Sequence, residues 1–64
     1  MTDEEILKVV ARIEGLGGMT VNERLYVSGL LDEFDKVMKT DKAKARRILE
    51  LLQVDKSSID KIVL

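Results

Sequence analysis

A chain of 64 residues has room for one small domain, and with no cysteine and no histidine it folds without disulfides, thiolate metal ligands or imidazole chemistry. Eleven basic and twelve acidic residues leave a formal charge of −1, a balance that argues against a dedicated nucleic-acid or anionic-membrane binder. Apolar residues make up 45% of the chain, enough for a core, but so short a chain buries only about 60% of the surface its unfolded form exposes. Well-packed helices, self-association or both must therefore hold it.

Three stretches carry helical periodicity, each behind a capping signal. Thr2 and Glu5 stand at the spacing of a capping box, and Ile6, Val9, Val10 and Ile13 follow at i, i+3, i+4 and i+7. Glu4 and Lys8 are oriented for an i,i+4 pair. The glycine-rich segment Gly15-Leu16-Gly17-Gly18 should end this first helix, because glycine accepts the left-handed conformation of a C-terminal cap.

Thr20 and Glu23 repeat the capping box ahead of a second helix, which should run from about Val21 to about Lys39. Tyr26, Val27, Leu30, Leu31, Phe34, Val37 and Met38 would share its broad apolar face, while Asp32, Asp35, Lys36 and Lys39 fall opposite and form two Asp-to-Lys pairs. Gly29 interrupts this helix, where glycine costs about 1 kcal/mol relative to alanine. It lies beside the apolar stripe, and we expect it to let another helix approach closely; a kink at Ser28-Gly29 is the alternative. The second helix is then the central element.

Thr40 or Asp41 can cap a third helix, whose apolar face is Ala45, Ile48, Leu49, Leu51 and Leu52. Gln53-Val54-Asp55-Lys56 reads as a connection, and Ser57 caps a short terminal helix containing Ile59, Ile62, Val63 and Leu64. No alternating run suggests a strand. The expected fold is all-α: one domain over residues 1–64, a small bundle of three main helices plus a short C-terminal helical segment. Phe34, Leu30, Ile48, Leu52, Ile6, Val10 and Ile13 should centre its core. No apolar run approaches the roughly 20 residues of a membrane span. The acidic start MTDEEILKVV lacks the charged region of a secretory signal, so a cytoplasmic location is expected.

The run NERLYVSGLLDEFDKVMK, Asn22 to Lys39, resembles a segment of small uncharacterised bacterial proteins that share an N-E-R-L-x-x-S-G-L-x-D-E-F-D core. The resemblance covers under a third of the chain. It implies a small helical protein of bacterial type and brings no activity or functional residue with it.

Little in the sequence points to chemistry. Asp32, Glu33 and Asp35 could suggest a metal site, but consecutive helical residues diverge by about 100°, and the loop spacing of an EF-hand is absent. A solvated acidic face is the plainer reading. Serines and threonines have no histidine to activate them, and the glycines at 15, 17 and 18 match no phosphate loop. We expect no enzymatic activity, catalytic residue, cofactor or metal.

The sharpest asymmetry is KTDKAKARR, with five positive charges against Asp41 alone. A nucleic-acid-binding helical module would use Lys39, Lys42, Lys44, Arg46 and Arg47. Against it, Lys42, Arg46 and Arg47 spread around the helix with Glu50 between the arginines. The preceding helix is also too long for a compact helix-turn-helix. Tyr26 and Phe34, the only aromatics, belong on the apolar face. The stronger expectation, reached by elimination, is a protein-binding regulator, adaptor or immunity-type module with an unidentified partner. The wide apolar arc near Tyr26 and the apolar C-terminal residues also suggest a weak homodimer.

Overall fold

Side-chain caps open four of the five α-helices in the computed structural model, which describes residues 2–64 and contains no strand among them. Helix α1, Asp3–Val10, starts with a full capping box: the Thr2 hydroxyl accepts from the Glu5 N–H at 3.2 Å, and the Glu5 carboxylate accepts from the Thr2 N–H at 3.0 Å. This satisfies two of the amides that a helix start leaves without partners. Its end comes earlier than the glycines. The Arg12 and Ile13 amides donate to the carbonyls of Val9 and Val10, each three residues back, and this tighter winding stops the helix at Val10. Gly15, at φ 72°, instead opens a single 3-10 turn, Leu16–Gly18, whose Leu16 side chain enters the core.

The long second helix is two helices. Helix α2, Val21–Ser28, and helix α3, Leu31–Thr40, meet at Gly29, which stands in the left-handed region at φ 74°. The Gly29 amide donates to the Tyr26 carbonyl and the Leu30 amide to the Leu25 carbonyl, the paired bonds of a Schellman motif. Leu25 and Leu30, its two apolar positions, are both buried. Gly29 is therefore neither a close crossing nor a kink in a continuous helix: nothing lies within 4 Å of where a Cβ would stand. Glycine is there because the chain needs a positive φ to leave the helix.

Asp41 follows directly and caps helix α4, Lys42–Leu51, its carboxylate accepting from the Lys44 amide at 3.1 Å. A second Schellman motif ends α4, with Gln53 to Glu50 and Val54 to Leu49 as its bonds and Gln53 at φ 65°. Helix α5, Lys56–Ile62, is capped by Asp55, not by Ser57; the Asp55 carboxylate accepts from the Ser58 amide at 3.0 Å.

Five helices thus stand where three main helices and a short segment are expected. The hub is α4, which packs against α1, α3 and α5, while α2 reaches the bundle through α3. Its buried Ala45, Ile48, Leu49, Leu51 and Leu52 span an arc of roughly 160° at 100° per residue, enough to face several neighbours at once. Ile6, Leu30, Ile48, Leu49 and Leu52 are the largest fully buried side chains. Of the expected core residues only Ile13 stays at the margin, partly buried against the cluster. The bundle also buries Leu16, Leu25, Val54, Ile59 and Val63. No helix is long and apolar enough to cross a membrane.

Candidate interaction surface

The break at Gly29 decides which side chains face outward. In one continuous helix Tyr26 would share a stripe with Leu30, Phe34 and Val37, at spacings of 4, 8 and 11 residues. Leu30, Phe34 and Val37 are buried, yet Tyr26 is 77% exposed. The left-handed residue turns the chain between them, so α2 presents Leu25 and Ser28 to the core and leaves Tyr26 and Val27 outside. Leu31, the first residue of α3, is exposed as well. Tyr26, Val27 and Leu31 accordingly flank one corner of the fold. The sequence periodicity placed all three on the apolar face, and the structure corrects that.

Arg24 holds this corner to the rest of the molecule. Its Nε donates to the Met19 carbonyl at 3.2 Å, and Nη1 donates to the carbonyls of Leu52 and Gln53 at 3.2 and 2.8 Å. A planar guanidinium can serve carbonyls on both sides, and those at the end of α4 carry the negative end of its dipole. Nothing in the periodicity marks Arg24, which reads as a polar residue between apolar ones. Ser28 is buried, and its hydroxyl donates to the Leu25 carbonyl at 3.1 Å.

Charges of both signs stand near these side chains in sequence, with Lys36 and Lys39 following Asp32 and Asp35 on α3. Glu23 lies three residues before Tyr26 and four before Val27, and Asp35 lies four after Leu31, so each is a helical neighbour. Asp32 and Asp35 are exposed, and neither they nor Glu33 form an ion pair among the described residues. The expected pairs Asp32–Lys36, Asp35–Lys39 and Glu4–Lys8 do not close to within 4.0 Å. Glu23 has its carboxyl held below the ordinary range by the Thr20 amide, and then by the Thr20 hydroxyl, so the capping box also keeps it charged.

The basic run lies elsewhere, and three of its five cations have surface partners within the chain. Arg47 donates to the Asp3 carboxylate at 2.9 Å, an interaction that raises the pKa of the guanidinium, and lies 3.8 Å from Glu50. Arg46 pairs with Asp60, whose carboxyl it holds below the ordinary range, and reaches the Val63 carbonyl at 3.4 Å. The Lys42 ammonium donates to the Leu64 carbonyl at 2.8 Å. Lys39 and Lys44 make no side-chain hydrogen bond or ion pair among the described residues. One argument against a helix-turn-helix nevertheless falls, since α3 is only ten residues long.

Among the described residues no group of three acidic side chains converges as metal ligands would, and no enclosed cavity forms. Comparison with protein-family models, with curated proteins and with solved structures returns no match.

Proposed function

We propose that this is a non-enzymatic helical module that acts by binding another protein through the corner between α2 and α3. One observation carries the reading: Tyr26 is 77% exposed and Val27 47% exposed on the outer side of a short helix whose inner side is packed and pinned. Large side chains with an apolar body and a polar tip, held rigid by their helix, are favoured anchors at interfaces. The module is a regulator, adaptor or immunity-type protein, cytoplasmic and of bacterial type. The bacterial element rests on the resemblance of Asn22 to Lys39 to small bacterial helical proteins.

The test is a pull-down with the intact protein, run beside the Tyr26→Ser/Val27→Ser variant. Both positions are exposed, so the variant should keep its helical circular dichroism. A partner held by the parent and lost by the variant supports the reading. Equal capture by both removes the corner from it. A gel shift with nucleic acid that weakens steeply with salt would favour the basic region instead.

A further inference from the structure

The bend between α2 and α3 rests on one residue. Gly29 stands at φ 74° and ψ 15°, whereas Leu30, at φ −98° and ψ 2°, is already within about 45° of helical values. A change in the sign of a single φ would therefore join Val21–Thr40 into one continuous helix. The side chains suit that helix as well as the bend. At 100° per residue Tyr26, Leu30, Phe34 and Val37 then fall within an arc of about 80°. The straight form also regains the amide-to-carbonyl bonds four residues apart that the Schellman pair at Gly29 and Leu30 replaces.

Straightening takes α2 away from its own core. The continuous helix is a rod of about 30 Å, and the longest dimension of the whole fold is 29 Å. With α2 in line with α3, Arg24 leaves the carbonyls of Leu52 and Gln53. The 3-10 turn travels with α2, because Arg24 also holds the Met19 carbonyl, and α1 follows along the chain. Ile6, Val10, Leu16 and Leu25 would then lose their burial. A second copy in the same form presents the same bared α4 and the same Leu52 and Gln53 carbonyls. Exchange of one element between identical chains is a low-cost route to a two-fold dimer, and it turns on hinge segments. We propose that Gly29 is the hinge of a domain swap, in which each chain lays residues 2–28 on α3, α4 and α5 of the other. The exchange does not require the corner to bind another protein.

Glycine at this position weights the balance toward the monomer. Alanine would strain the bend and favour the helix, and together these shift each chain toward the straight form about a hundredfold. Two chains make the dimer, so its dissociation constant should fall about ten-thousandfold. Sedimentation should show Gly29→Ala passing from monomer to dimer between micromolar and millimolar concentration, with the parent chain still monomeric. Cross-linking reads the exchange itself. Asp3 and Arg47 meet at 2.9 Å from opposite sides of the hinge, and the chain has no cysteine of its own. With Asp3→Cys/Arg47→Cys added to Gly29→Ala, a short bis-maleimide should join two chains and give twice the chain mass on a denaturing gel.

A dimer whose cross-links stay within each chain overturns the proposal, since two intact monomers would then have associated through their surfaces. Gly29→Ala that is a folded monomer at every concentration, or an unfolded chain at every concentration, overturns it as well. So does a parent chain that dimerises as readily as the variant, because the bend at Gly29 would then not govern the exchange.

Discussion

The Arg24 guanidinium donates to the main-chain carbonyl of Gln53 at 2.8 Å, across 29 residues of sequence. The bond ties the start of α2 to the turn that closes α4, two elements with few other direct contacts. Gln53 sits there at φ 65°, a conformation that non-glycine residues adopt at some expense. An internal cation thus stabilises the carbonyls that the end of the hub helix leaves without amide partners.

Arg24→Ala should lower stability by about 1–3 kcal/mol, the range for hydrogen bonds to a charged group, reduced where solvent reaches them. Arg24→Lys should recover little, because one ammonium on a flexible stem cannot serve three carbonyls in the guanidinium's plane. Urea unfolding measures both variants as a fall in midpoint at constant slope.

The two left-handed positions should respond in opposite directions. Gly29→Ala places a Cβ at φ 74° with open space around it, so it should destabilise by about 1–2 kcal/mol through backbone strain and not through overpacking. Gln53→Gly relieves the corresponding strain and should stabilise by up to about 1 kcal/mol, partly offset by the added freedom of the unfolded chain. Thermal midpoints of the two variants would show the contrast. A rise for Gly29→Ala would contradict the Schellman account.

Helix α5 belongs to the core of its own chain. Ile59 and Val63 are buried, and the α4 side chains Lys42 and Arg46 bond the carbonyls of Leu64 and Val63. Ile59→Ala should cost about 2–4 kcal/mol. That is a large share of what a domain this small has, roughly 3–10 kcal/mol. Truncation after Asp55 should leave the chain unfolded, which circular dichroism would register directly.

Stability should be flat across neutral pH and fall in acid. No histidine titrates between about pH 6 and 8. Glu5 and Glu23 lie below the ordinary 4.5, held by the amides of Thr2 and Thr20, and Asp55 and Asp60 lie below 3.8, held by the Ser58 hydroxyl and by Arg46. The unfolded chain takes up these protons first as pH drops. Their contribution is therefore complete above those ordinary values and is lost as pH falls through the lower folded ones. Thermal midpoints from neutral pH to pH 2 would trace the decline, and Thr2→Ala/Thr20→Ala should make it shallower.

Local chemistry was legible in the sequence wherever a few neighbouring residues suffice. The capping boxes at Thr2 and Thr20, the turn at Asp41, the all-helical character and most of the core follow from spacing alone, because caps and helical faces are short-range patterns. Gly29 also carried its signal, standing directly between Ser28 and a buried leucine, but the unbroken apolar spacing through Leu30 masked the end of a helix. What only the tertiary structure decided is which apolar residues are left over. Tyr26 and Leu30 have equal claim to the core by periodicity, and a single positive φ between them buries one and exposes the other. Arg24 and the hub role of α4 were equally hidden, since both depend on contacts between residues far apart in the chain, which no local pattern records.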